Sequence, residues 1–329
     1  MSRDYYIFKS GRIRREDNTI YFESDDGKRP IPIEDVESIY VFGELDFNTK
    51  LLNFISQHSV PVHIFNYYGF YSGTFYPREK LVSGFLLVKQ VEHYTDSQKR
   101  LEIAKEIARA THHNILRNIR YYDNRGKEIE DIIGDIEEGK WEIESSNDIA
   151  QLMGAEGRIR DRYYRAFEKI LGEEFKIEKR VKRPPNNMIN CLISFGNSLM
   201  YTATLSEIYK TQLNPTVSYL HEPSERRFSL SLDIAEIFKP LVVDKIIFKL
   251  VNKNMVDEGD FDSDLNYCYL KESGRKKFIA EFDSKMETTV KHRRLKRNVS
   301  YKTLIRMECY KIAKHLMDME KYEGLKAWW

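Results

Sequence analysis

The sequence predicts an α+β chain, with a small N-terminal mostly-β domain over residues 1–85 and a larger all-α domain over residues 86–329. Two observations carry that reading. Up to about residue 76 the apolar residues alternate in short runs broken by turn signals, the pattern of half-buried strands. Beyond Tyr76-Pro77-Arg78 they recur three and four apart, the helical period. Length agrees, since 329 residues at roughly 150 per domain allow about two domains, each large enough to bury a core.

The elements follow in chain order. Tyr5 to Lys9, Thr19 to Glu23 and Lys28 to Ile33 read as strands rich in Tyr, Phe and Ile, separated by Ser10-Gly11, Asp17-Asn18 and Asp26-Gly27. A short helix is expected up to Gln57 behind an Asn48 cap, with Leu51, Leu52 and Ile55 at helical spacing. Val60 to Phe65 and Tyr71 to Phe75 return to strand. Leu101, Ala104, Ala108, Ile115 and Ile119 then mark a long helix, on which the His112-His113 pair is expected at the surface. Further helices are read at Ile189 to Tyr209, Leu232 to Phe238, Val242 to Asn252 and Ser300 to Met319. Between Gly126 and Ser146 eight acidic residues face only Lys127 and Lys140, and this stretch is expected to be a flexible connection.

Composition narrows the class. With 41% hydrophobic and 32% charged residues the chain can fold but is too charged for a bilayer, and no run approaches the ~18 apolar residues of a membrane span. The start, Met1-Ser2-Arg3-Asp4-Tyr5, lacks the apolar core of a secretory signal, so a cytoplasmic location is expected. Cys191, Cys268 and Cys309 are isolated in sequence, which fits reduced structural thiols better than a zinc site or disulfide framework. The net charge of +2 decides nothing, but its distribution does. Lys179, Arg180, Lys182 and Arg183 cluster, and Lys291 to Arg297 carries five fixed positive charges in seven positions. Such runs fit a phosphate backbone or, equally, a solvated helix face.

Two places could carry chemistry. Glu156 lies in Gly154-Ala155-Glu156-Gly157, ahead of Arg158, Arg160, Arg162 and Arg165, where small neighbours leave room for an ion; the alternative is a carboxylate favouring a helix start. His221, in Tyr219-Leu220-His221-Glu222-Pro223, precedes Asp233 and Glu236, whose spacing puts both carboxylates on one helix face in want of a cation. A solvated face for the carboxylates and a hydrogen-bonding role for His221 are the alternatives. An imidazole with carboxylates and no thiolate suits Mn2+ or Mg2+, ions that serve phosphodiester chemistry. The phosphate-binding loop, the dinucleotide fingerprint, the His-Glu-x-x-His helix and the Gly-x-Ser-x-Gly elbow are all missing from the sequence.

Taken together, Gly154-Ala155-Glu156-Gly157, Lys182-Arg183-Pro184-Pro185-Asn186, Leu192-Ile193-Ser194-Phe195-Gly196-Asn197, Leu213-Asn214-Pro215, Tyr219-Leu220-His221 and Leu232-Asp233-Ile234-Ala235-Glu236-Ile237-Phe238-Lys239-Pro240 resemble the CRISPR-associated adaptation integrase and endonuclease family, Cas1. The resemblance spans nearly the whole chain, and Tyr301 to Glu308 looks like the last helix of the type I-B branch. Gln212-Leu213-Asn214-Pro215, where the family often has a Gly-Leu-Asp-Pro turn with glycine before the aspartate, and Lys239, where it often has Arg, depart from the pattern without touching a ligand.

The resemblance implies a β-rich dimerisation domain, a helical catalytic domain, and a metal held by Glu156, His221 and Glu236 with Asp233 alongside. It implies strand transfer, in which a DNA 3′-hydroxyl attacks a phosphodiester at a repeat, with nuclease activity from the same site and Lys239 and Arg183 offsetting anionic charge. Double-stranded DNA would be held by basic residues, for which Arg158, Arg162, Lys182, Arg183, Arg293, Arg294 and Arg297 are the candidates. It further implies a homodimer and a small ferredoxin-like partner, Cas2, itself a dimer. A structure-specific metal-dependent DNA nuclease of repair, with the same residues, and a non-catalytic nucleic-acid-binding scaffold are the competing readings.

Overall fold

The computed structural model describes residues 2–177, 180–182, 184–223, 228–264 and 267–329. Its N-terminal part holds strands β1 (Arg3–Ile7), β2 (Gly11–Glu16), β3 (Thr19–Ser24), β4 (Gly27–Pro32), β5 (Val36–Val41) and β6 (Leu45–Asp46), helix α1 (Thr49–Gln57), and strands β7 (Val62–Phe65) and β8 (Tyr71–Phe75). They form two four-stranded sheets. One runs β1-β5-β7-β8 with the first three strands parallel, and the other runs β4-β3-β2-β6. Ile7, Ile13, Ile20, Ile31, Ile39, Phe54 and Ile55 share one core between them and α1. Asn48 caps α1 as expected, accepting from the Leu51 amide at 3.1 Å. Strand β5 escaped the sequence reading because it is buried almost throughout, and a parallel central strand covered on both faces shows no alternation.

Helices follow: α2 (Gly84–Thr95), α3 (Ser97–Asp123), α4 (Glu130–Ser145), α5 (Ile149–Leu171), α6 (Met188–Tyr209), α7 (Ser229–Phe238), α8 (Val243–Asn252), α9 (Glu272–Glu287) and α10 (Tyr301–Leu316). This part is not purely helical. Two hairpins interrupt it, β9 (Phe261–Asp264) with β10 (Tyr267–Leu270), and β11 (Thr289–Lys291) with β12 (Asn298–Ser300).

The acidic stretch expected to be a flexible connection is helix α4. Ile132, Ile133, Ile136, Gly139 and Ile143 recur at helical spacing and are buried, while the acids line the outside. Arg109, Arg120, Arg158, Arg162 and Arg165 of α3 and α5 pair with those acids, so charge density that reads as solvation is in fact neutralised from neighbouring helices. At Gly139 a Cβ would stand 2.5 Å from the Ile159 side chain, so this crossing with α5 requires glycine. His112 and His113 are likewise not surface groups. His112 is buried with Nε2 2.7 Å from the Ile136 carbonyl oxygen, and the Nε2 of His113 lies 3.1 Å from that of Ala327.

Helix α6 is apolar on almost every side and lies at the junction of the two parts. Tyr40, Phe42 and Phe65 of the first sheet belong to the same core as the helices. Polar contacts supplement this packing. Buried His63 on β7 sits with Nε2 2.8 Å from the Ser206 hydroxyl on α6 and Nδ1 2.9 Å from that of Thr74. Among the described residues no helix is long and apolar enough to cross a membrane.

Burial holds His63 far below the usual histidine range, at about 3. The unfolded chain, with an ordinary value near 6.5, takes up this proton first. The stability that the neutral ring contributes is therefore complete above about pH 6.5 and is lost as the pH falls towards 3, by on the order of a few kcal/mol in the limit. Urea midpoints should fall between pH 7 and 4, and His63→Gln should flatten that part of the profile. Parallel profiles for the two proteins would refute the assignment.

Candidate active site

Helix α5 begins at an Asp148 cap, whose side chain accepts from the Gln151 amide at 2.8 Å, and its second and third turns carry Glu156 and Arg160 on one face. Helix α7 supplies Asp233 and Glu236, with Lys239 at its C-terminal cap. Both helices pack on α3. The segment before α7 brings in His221.

Asp233 is fully buried and holds that segment in place. Its Oδ2 accepts from the amides of Tyr219 at 2.7 Å and Leu220 at 3.0 Å, and its Oδ1 from the amide of His221 at 2.9 Å. Oδ1 also lies 2.8 Å from His221 Nδ1, which donates to it. Four donors saturate the carboxylate. Asp233, expected alongside a metal, spends its oxygens on the backbone and on Nδ1, and its effect is to fix the ring so that Nε2 is the nitrogen left for chemistry.

Glu156 and Glu236 meet through Arg160. One guanidinium nitrogen, Nη2, donates to Glu236 Oε2 at 2.6 Å and to Glu156 Oε1 at 3.3 Å, and Nε donates to the same Glu156 oxygen at 3.4 Å. The ammonium of Lys239 takes the other Glu236 oxygen. The two carboxylates thus share a cation, although 80 residues separate them in sequence (236 − 156). Among the described residues no three His, Cys, Asp or Glu side chains are grouped as an ion would need, and Arg160 and Lys239 hold three of the four carboxylate oxygens of Glu156 and Glu236.

The charges reinforce one another. Burial works to raise Glu236, but Lys239, Arg160 and His221 outweigh it and hold the carboxyl at about 2. Burial works to lower His221, but the hydrogen bond and charge of Asp233, with Glu236, leave it raised. Behind this group Asp244 on α8 is pushed up to about 6 by burial, against the opposing pull of Arg160, Tyr163 and Lys239. Arg160 and Asp244 were given no role in the sequence reading. The i,i+4 spacing from Glu156 could have found Arg160; nothing local marks Asp244.

The basic candidates divide. Arg158 and Arg162 both pair with Glu142 of α4, at 2.6 Å each, and Arg162 also donates to the Asp135 carbonyl. Lys182 is exposed ahead of α6, whereas Arg183 and Lys179 lie outside the described residues. The run Lys291 to Arg297 forms the turn between β11 and β12, not a helix face. Arg293, Arg294 and Arg297 are exposed there; Arg293 stacks over Trp328 at 5.6 Å and Arg294 pairs with Glu320 at 2.8 Å. The cysteines fit the expectation of reduced structural thiols, since Cys191, Cys268 and Cys309 are all free and buried, and the thiols of Cys191 on α6 and Cys268 on β10, 77 residues apart in sequence, interact.

The family model described as CRISPR associated protein Cas1 matches residues 5–284. The chain belongs to the Cas1 family. Over 328 residues it is 58% identical to a protein of Thermodesulfovibrio yellowstonii named CRISPR-associated endonuclease Cas1 3, covering 99% of this chain and all of that one. A solved Cas1 protein from Thermotoga maritima superposes with a TM-score of 0.89 at 42% identity, covering 99% of this chain and 100% of that one. The same fold, at 21% identity and a TM-score of 0.88, recurs in a casposase bound to integration product, over 98% of this chain and 93% of that one. Membership of the Cas1 family agrees with the resemblance carried by the Glu156, His221 and Glu236 motifs.

Proposed function

We propose that this chain is a metal-dependent DNA endonuclease and integrase of CRISPR adaptation, which inserts short foreign duplexes into the CRISPR array by transesterification. The observation that carries this reading is the meeting of Glu156 and Glu236 on one nearly buried cation, together with a histidine whose charge acts on Glu236 and whose Nδ1 is tied to Asp233. Family membership and the endonuclease name of the T. yellowstonii relative support it, as does the use of this fold by a casposase. Two carboxylates and an imidazole Nε2, with no thiolate among them, fit Mn2+ or Mg2+. Glu156, Glu236 and His221 would hold the ion, which when bound lowers the pKa of an attacking 3′-hydroxyl or water and stabilises the charge that develops on phosphorus.

The chain's own residues do the rest. Asp233 keeps the His221 ring in one tautomer and orientation, which raises the basicity of Nε2. Lys239 sits beside Glu236 and offsets the negative charge of a bound phosphodiester. No covalent protein nucleophile is required. On this reading the protein acts in the cytoplasm as a homodimer through its β-rich domains, with a Cas2 dimer as partner and double-stranded DNA as substrate.

The deciding experiment incubates the protein and its partner with labelled duplex ends and a supercoiled plasmid carrying repeats. Joining of label to plasmid at a repeat boundary is expected. Cleavage of branched DNA without any joining would replace integration by the repair-nuclease reading, and no Mn2+-dependent phosphodiester chemistry at all would leave a scaffold.

DNA binding has its own test at the β11–β12 turn. In the triple variant Arg293→Ala, Arg294→Ala and Arg297→Ala, the slope of log affinity against log salt should flatten by up to about three, at roughly 0.9 per phosphate contact. The ties of Arg293 to Trp328 and of Arg294 to Glu320 would make the change smaller. Filter binding at several salt concentrations reads this directly. An unchanged slope would move the DNA path elsewhere, for instance to the segment containing Lys182.

A further inference from the structure

The proposed metal site contains its own competitor. Arg160 is nearly buried, with its side chain 12% exposed, and its guanidinium donates to both carboxylates that would bind the ion, while Lys239 pairs with only one of them. A divalent cation and this guanidinium would meet on Glu156 Oε1 and Glu236 Oε2, where their like charges repel, so ion binding competes with Arg160. A buried guanidinium that leaves one carboxylate needs another, because an unpaired charge in the interior is strongly unfavourable.

After Glu236 and Glu156, the carboxylate whose charge weighs most on Arg160 is Asp244. It is 3% exposed on the first turn of α8, and the influence is mutual, since Arg160 acts on Asp244 in turn. One of its oxygens, Oδ2, is buried with no hydrogen-bond partner. An unpaired carboxylate oxygen is a costly feature that native interiors rarely keep. Here it is a ready acceptor next to a side chain whose present partners are needed elsewhere. Tyr163, one turn beyond Arg160 on α5, interacts with Asp244 and also accepts from Asn118 at 2.9 Å.

We propose that Arg160 guards the Glu156 and Glu236 carboxylates in the metal-free protein, and that Asp244 receives its guanidinium when a divalent ion binds. Asp244 is therefore a positioning residue that sets metal affinity through Arg160 without touching the ion. The inference rests on the metal reading of this site. It adds that affinity is set by a competition inside the protein, and that the ion-free and ion-bound forms differ in the rotamer of one arginine.

Mn2+ binding to the full-length protein without DNA, followed by the loss of the free-ion electron paramagnetic resonance signal, separates the two levels. Wild-type protein should bind, and Glu156→Ala should not; if neither binds, the metal reading falls and this proposal with it. Given binding, Asp244→Asn should weaken affinity about tenfold or more, the scale of one charge-assisted hydrogen bond. Arg160→Gln should tighten it, because the competitor is gone. In the double variant, Asp244→Asn should have no further effect on the Arg160→Gln protein, which a general electrostatic role for Asp244 would not produce. Equal weakening by Asp244→Asn in both backgrounds would overturn the proposal. If Asp244→Asn fails to fold, the Arg160→Gln affinity alone still decides, and an affinity equal to or weaker than wild type would overturn it.

Discussion

Glu156→Ala should lower DNA cleavage and strand transfer by about a thousandfold, the scale of removing one group that stabilises developing charge directly. The fold should survive, since the Glu156 side chain is only partly buried and its hydrogen bonds run to Arg160, which keeps Glu236. His221→Ala should act alike, by removing the nitrogen that Asp233 orients. Asp233→Asn should be milder in chemistry, about 10- to 100-fold, because it acts through His221. It should also loosen the 219–221 segment, since an amide cannot accept from four donors at once. Single-turnover assays across a Mn2+ titration, with circular dichroism to check folding, test the series. Wild-type rates for Glu156→Ala or His221→Ala at saturating Mn2+ would sink the ligand assignment.

Lys302→Met should cost about 3–5 kcal/mol of stability, the usual consequence of removing one partner from a buried ionic cluster. Lys302 on α10 is nearly buried and pairs with Asp4 of β1 at 3.0 Å, with Glu37 of β5 at 3.2 Å and with Glu287 of α9 at 2.9 Å. It binds the first strand of the chain to the last helix. The Tm should fall by on the order of 10 °C, and Asp4→Asn in the same background should recover part of it. The pH dependence has a definite sign. Burial pushes Asp4 up to about 6 even with Lys302 beside it. Its folded-state value lies above the unfolded one, so its contribution is most favourable below the ordinary aspartate range and is lost as the pH rises through 6. The Lys302→Met defect should accordingly be larger at pH 8 than at pH 5; a defect independent of pH would mean that Asp4 is not the group left uncompensated.

Local sequence was enough for whatever depends on neighbours along the chain. The period-2 runs marked β3, β4 and β8, Asn48 marked the start of α1, and the three-residue spacing of Asp233 and Glu236 put both on α7. The ordered motifs around Glu156, His221 and Glu236 were enough to bring those residues forward before any geometry was available. Tertiary structure decided everything that depends on what lies opposite. The acidic stretch became α4 because arginines of α3 and α5 cover its outer face, while the isoleucines beneath kept a period that the charge had masked. Asp233 and Glu236 leave the same helix, yet one turns to three backbone amides and an imidazole while the other turns to Arg160, which lies 76 residues earlier in the chain. A carboxylate's role is set by the donor that meets it, and a donor that distant leaves no trace in local spacing; only the packing of the helices brought Arg160 of α5 to Glu236 of α7 and within the influence of Asp244 on α8.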